Sequence, residues 1–230
     1  MVSGIDAIER RVVACERCPE LRAYCAQVAR EKKRAHADQT YWGKPVPAFG
    51  DPRARVMLVG LAPGAHGSNR TGRMFTGDAS GDFLFPALYR AGFASQPNSI
   101  DARDSLELLD CIITAAGRCA PPANKPTPQQ LRNCFPYLLE EFDALPNLRV
   151  AIGLGKIGFD AILKMLRERQ YRFDAKPAFG HAVEATALRD KRRIVVLGSY
   201  HPSRQNTNTG VLTAPMFDAI FSRAKALLLR

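Results

Sequence analysis

Four short apolar runs recur along this chain, at Val56 to Leu61, Leu108 to Ala116, Val150 to Leu154 and Ile194 to Gly198, and nothing else constrains its fold as much. Each has the length of a strand and little polar content, as in strands buried on both faces. Helical patterns lie between them, roughly at Asp82 to Ala91, Pro128 to Phe142 and Lys156 to Arg169, and a last amphipathic helix covers about Pro215 to Leu229. Strands alternating with helices of this length require parallel crossovers, so the pattern predicts an α/β protein with an open, doubly wound, mainly parallel sheet of four strands. Ala178 to Ala187 is a candidate small edge strand. Ile5 to Arg34 reads as a helical N-terminal arm, ending in the basic cluster Arg30, Lys32, Lys33 and Arg34 and followed by the Pro/Gly-rich stretch YWGKPVPAFGDP. At 230 residues, without repeats or a long linker, a single domain over 1–230 is expected.

Each run is followed by a loop: GLAPGAHGSNRTGRMFTGDASGD, GRCAPPANKPTP, GLGKIG and GSYHPSRQNTNTG. Ligands of open parallel sheets bind outside the carboxyl ends of the strands. Three of these loops are far richer in Gly, Pro, Asn, His and Arg than a connection requires, which points to one active-site rim. GLGKIG lacks the full G-x4-G-K-[ST] pattern, with Ile157 where a magnesium-binding hydroxyl would stand, so a nucleotide hydrolase is not indicated.

The formal net charge of +11 suits a polyanionic partner, through contacts that weaken as salt rises. No run approaches the ~20 apolar residues of a membrane span, and charges interrupt the N-terminus where a signal peptide would be apolar. A cytoplasmic protein without membrane association is therefore expected. In that compartment six cysteines imply a metal site or buried thiols rather than disulfides. Cys15 and Cys18 form a C-x2-C pair in the arm, while Cys119 and Cys134 lie in the loop after the second run and in the helix that follows. Four thiolates so placed can close around one centre, either a cubane iron–sulfur cluster or zinc. Cys111, inside an apolar run, and Cys25, on a helical pattern, read as packing thiols.

The stretches GLAPGAHGSNRTGRMFTGDASGDFL, RCAPPANKPTP and HPSRQNTNTG, with the four-cysteine pattern, resemble the family 5 uracil-DNA glycosylases, neighbours of family 4. The resemblance runs from Cys15 to about Gly210. It implies a three-layer α/β/α sandwich, a [4Fe–4S] cluster on Cys15, Cys18, Cys119 and Cys134 rather than zinc, and hydrolysis of the N-glycosidic bond of uracil in DNA. It also implies a substrate range reaching deaminated purines such as hypoxanthine. A monomer acting on DNA is expected. The competing reading, from charge and cysteines alone, is a non-catalytic iron–sulfur nucleic-acid-binding module.

Base excision requires the nucleotide to leave the stack and be held by stacking and hydrogen bonds. By resemblance Phe75 supplies the stacking face, although a core aromatic at a helix start would look the same. Gly60, Leu61 and Ala62, where the first loop begins, should line the base pocket. His201 is placed to donate to the departing base, whose oxygen gains charge as the bond breaks, and His66 is a second rim candidate. Family 4 has a glutamate where Leu61 stands, so Asp78 is expected as the carboxylate that steadies the sugar cation and orients water. A helix-start acid is the alternative for Asp78, and Asp82 fits that alternative better. Asn124 could read the base edge. Gly64, Gly67, Arg70 and Arg73 are expected at the DNA backbone, and Arg204, Gln205, Asn206 and Asn208 in the groove or supporting the flipped nucleotide.

Overall fold

The computed structural model describes residues 4–229, and the ends of the expected 1–230 unit lie outside the described residues. In chain order the elements are α1 (Gly4–Val13), α2 (Pro19–Glu31), β1 (Phe49–Gly50), β2 (Val56–Gly60), α3 (Ser68–Thr71) and α4 (Ala79–Arg90). There follow β3 (Cys111–Ala115), α5 (Pro128–Asp143), β4 (Val150–Leu154), α6 (Lys156–Glu168) and β5 (Arg172–Phe173). The chain ends with β6 (Glu184–Arg189), β7 (Arg192–Ser199), α7 (Arg204–Asn208) and α8 (Ala214–Leu228).

The four apolar runs supply β2, β3, β4 and β7, which are mutually parallel, and every residue of β2, β3 and β4 is buried. Alternate side chains of β2 enter opposite layers. Val56 and Leu58 pack with Leu84, Phe85 and Leu88 of α4 and Phe217, Ile220 and Phe221 of α8. Met57 and Val59 pack with Leu138 and Phe142 of α5 and Phe159, Ile162 and Leu166 of α6. These are the three layers expected.

The sheet, however, has seven strands in the order β1-β3-β2-β4-β7-β6-β5, not four. The additions are antiparallel edges: β1 pairs with β3, and β6 and β5 fold back beside β7. Strands β1 and β5 are two residues long, too short for any alternation to register, and β6 is largely exposed. The candidate edge strand at Ala178 to Ala187 therefore corresponds to β6, displaced toward the β7 turn. The arm is also divided. Pro19 occupies the first turn of α2, where its missing N–H is harmless, so the chain breaks between α1 and α2 and places Cys15 and Cys18 in the gap. No helix among the described residues is long and apolar enough to cross a membrane.

Candidate active site

The crossover after β2 runs to α4 on one face of the sheet, and that after β4 to α6 on the other, so the chain reverses between these neighbouring strands. Such a switch point opens a crevice at the carboxyl edge, and it is here that the β2 and β7 loops meet. Phe75 and His201 rings lie 5.8 Å apart, tilted by 30°. Phe75 has φ of 54°, a left-handed conformation that costs a non-glycine residue roughly 1–3 kcal/mol and gathers at functional sites. Its ring is buried against Leu84 and Ile113 and passes beneath Gly60, where an added Cβ would come within 2.8 Å of Cζ. Phe75 is thus a core aromatic whose ring meets that of His201.

His201 follows β7 and is held by its backbone. Asn206 Nδ2 donates to the His201 carbonyl at 2.9 Å, and Ser203 caps α7 by accepting from the Asn206 N–H. Burial alone pushes the imidazole pKa down to about 4, so the ring is neutral at physiological pH. Asn206, half-buried, braces the loop that carries His201. Arg204, Gln205 and Asn208 of α7 are exposed.

Asp78 is the N-cap of α4, with Oδ1 accepting from the Ser80 and Gly81 N–H groups at 3.0 and 3.2 Å. Its other oxygen, Oδ2, faces the turn at Gly64 and Gly67, where a Cβ on Gly67 would overlap the carboxylate. Burial raises the Asp78 pKa, while the two N–H bonds oppose that rise. The helix-start alternative therefore describes Asp78 itself, whereas Asp82 is exposed one turn further along.

Two expectations are corrected outright. Arg70 and Arg73 do not face outward. Arg70 donates to the carbonyls of His66 and Gly77 and to Gln39, and Arg73 is paired with Asp104 at 2.7 Å and bonded to Thr76 and Ser99. Both guanidiniums shape the β2–α4 loop from within, Arg70 by satisfying its backbone carbonyls and Arg73 by bonding side chains of Thr76, Ser99 and Asp104. Leu61 and Ala62 are half-buried where the loop leaves β2, the Leu61 carbonyl accepting from the Gly117 N–H. Asn124 stands exposed at φ 57° in a tight turn after β3. His66, at the rim, shares a 3.1 Å hydrogen bond with Tyr41, a partner that no spacing in the chain announced.

The cysteines gather behind the rim. Cys134 lies close to Cys18 and Cys15, and burial raises its thiol while a hydrogen bond from the Arg118 backbone lowers it. Asn133 Nδ2 donates to Cys18 Sγ at 3.2 Å. Cys25, read from the sequence as packing, is fully buried and hydrogen-bonded to Cys119. Arg118, beside Cys119, is completely buried with Glu141, at 2.6 Å, and Thr114 donates to the same carboxylate oxygen. Among the described residues no three Cys, His, Asp or Glu side chains are gathered as one ion would need. Cys18, Cys119 and Cys134 are buried and Cys15 is half-buried; they come from the α1–α2 gap, the β3 loop and α5, a donor set whose chemistry fits an all-thiolate centre.

Comparison with known proteins agrees with this geometry. The model of the uracil DNA glycosylase superfamily matches residues 47–225. A type-5 uracil-DNA glycosylase of Thermus thermophilus is 47% identical over 96% of this chain and 97% of its own length. One from Mycobacterium bovis is 46% identical over 97% of this chain and 82% of its own. A type-4 enzyme of Archaeoglobus fulgidus is 27% identical over 66% of this chain and 61% of its own. On the match over residues 47–225 and relatives of this identity and coverage, the chain belongs to the uracil-DNA glycosylase superfamily, beside its type-5 members.

Proposed function

We propose that this chain hydrolyses the N-glycosidic bond of uracil in DNA, and of other deaminated bases such as hypoxanthine, after the nucleotide has left the stack. The observation that carries the proposal is Phe75, held in a strained backbone conformation against a neutral His201 at the sheet's switch point. A base laid on Phe75 brings its edge to the imidazole. A neutral ring can donate an N–H to a base oxygen as negative charge develops there, an interaction that strengthens as the bond breaks. Asp78, held by two backbone N–H bonds through Oδ1, keeps Oδ2 for the sugar cation and for water. Its pKa, raised by burial, makes it a stronger base than an exposed aspartate. Gly60, Leu61 and Ala62 form the near wall of the pocket, and Asn124 meets the base edge from the β3 loop. Gly64 allows close passage of the DNA backbone, with Arg204 providing charge.

We assign a [4Fe–4S] cluster to Cys15, Cys18, Cys119 and Cys134. When bound, it would supply a structural cross-link between the arm and the β3–α5 region rather than chemistry on the base. The substrate is met in the cytoplasm by a single copy of the chain. The test is a panel of oligonucleotides, each bearing one lesion, scored for abasic sites. Abasic sites at uracil and at hypoxanthine are expected. DNA binding without product on any lesion would favour a non-catalytic binding module.

A further inference from the structure

Trp42 is the only tryptophan of the chain and remains 36% exposed. Its orientation is fixed. The indole Nε1 donates to the Pro45 carbonyl at 3.1 Å, and the ring lies on Gly72, where a Cβ would come within 2.9 Å of Cδ2. Its backbone is stitched to the active-site loop, with Trp42 N–H donating to Arg70 O at 2.8 Å and Gly43 N–H to Asn69 O at 3.0 Å. Gly72, which the indole covers, lies three residues before Phe75, so at most about 11 Å separates their Cα atoms. That distance is one to a few nucleotides along a strand.

The surroundings are basic. Lys44 Nζ stands 5.7 Å from the Trp42 ring centroid. Next door, Tyr41 accepts from the Lys33 N–H and bonds His66, tying the cluster at Arg30 to Arg34 to the rim. An oriented, part-exposed indole with one ammonium group over it and a basic cluster near by is the pairing that single-stranded nucleic-acid channels use: an aromatic face for a base and cations for its phosphates.

We propose that Trp42 is a second stacking platform, which holds an unpaired nucleobase of the DNA next to the nucleotide in the catalytic pocket, with Lys44 and the Arg30–Arg34 cluster on the flanking phosphates. The proposal rests on the glycosylase reading for its DNA partner but not for its chemistry. Because Trp42 is the only indole, intrinsic fluorescence reports the site directly. The holoprotein is titrated with an undamaged single-stranded oligonucleotide while fluorescence anisotropy of a labelled strand records binding.

Quenching of the emission in step with binding is expected, and unchanged emission at DNA saturation would overturn the proposal. Trp42→Ala should weaken binding about tenfold, the loss of one base–aromatic stack, while Trp42→Phe should stay within a few-fold. Trp42→Leu fills the space over Gly72 without an aromatic face. If it binds as well as Trp42→Phe, the ring serves packing and the proposal is wrong. Uracil release by the unaltered protein, measured in parallel, tests the glycosylase reading on its own.

Discussion

His201 ties the chemistry of the site to a measurable stability. Burial alone holds its pKa at about 4, against an ordinary 6.5. Below the ordinary value an unfolded chain takes up a proton that the folded chain refuses until about pH 4, so acid destabilises the fold across that window and the effect is absent above it. With these two values, the deficit at about pH 5 is on the order of 2 kcal/mol and approaches about 3.4 kcal/mol at lower pH. His201→Asn removes the titrating ring. Thermal melts of variant and parent, both cluster-loaded, at about pH 7.5 and about pH 5 give a double difference in which all shared titrations cancel. For a chain of this size 2 kcal/mol corresponds to roughly 4–8 °C, so acidification should lower the parent's Tm by that much more than the variant's. Equal acid shifts in the two proteins would show that His201 is not held neutral by burial, and the argument for a neutral donor to the departing base would fall with it.

Asp78→Asn keeps an N-cap acceptor but loses the charge, so uracil release should fall ~10²–10³-fold with little change in Tm. Asp78→Ala should lose about 1 kcal/mol of helix capping as well, and Asp82→Ala should retain most activity. If Asp82→Ala removes the activity and Asp78→Asn does not, the carboxylate has been misassigned. Gly60→Ala should displace the Phe75 ring, which an added Cβ meets at 2.8 Å, giving folded protein by circular dichroism with a strongly raised KM or lost turnover. Unchanged kinetics would remove Phe75 from the pocket wall. Replacing Cys15, Cys18, Cys119 or Cys134 by Ser should lower iron content and Tm together, whereas Cys111→Ser should leave iron in place. Iron-free parent protein would refute the cluster. Glu9, raised to about 7 by burial and by neighbouring Asp6 and Glu141, disfavours the folded state as pH rises from its ordinary 4.5 through 7. Glu9→Gln should therefore raise Tm at about pH 8 and not at about pH 4, and a Tm gain independent of pH would contradict that origin.

The parallel strands were legible because burial on both faces leaves an uninterrupted apolar run, and β4 matches its expected bounds, Val150 to Leu154, at both ends. Of the edge strands only β6 was expected, several residues too early, because two-residue pairings such as β1 and β5 have no period and β6 takes its bounds from pairing with β7. At the site, the loops after β2 and β7 do set Phe75 and His201 ring to ring, while the places of Phe75 and Asp78 were expected from the family resemblance. The directions of Arg70 and Arg73 were hidden, because an arginine in a Gly-rich loop reads the same whether it meets a phosphate or a neighbouring carbonyl. Only the packing of residues 39, 77, 99 and 104 around them decides the matter. Asn206 has a role that spacing did not show: its amide closes the turn that begins at His201.

The place of Asp78 follows from the same economy of loops. Leu61 is half-buried, its backbone carbonyl accepting from the Gly117 N–H, and its side chain offers no charge to the site. At position 78 a carboxylate gains two backbone N–H partners and the positive end of α4, which offset part of its desolvation and fix its direction. Those bonds occupy only Oδ1. Gly64 and Gly67, lacking side chains, leave Oδ2 bordered by backbone that a nucleotide can approach. Capping the helix therefore does not exclude the role proposed for Asp78 in the reaction, because the cap holds the second oxygen still. Asp78→Asn preserves the first role and removes the second, so it separates them where Asp78→Ala, which ends both, does not.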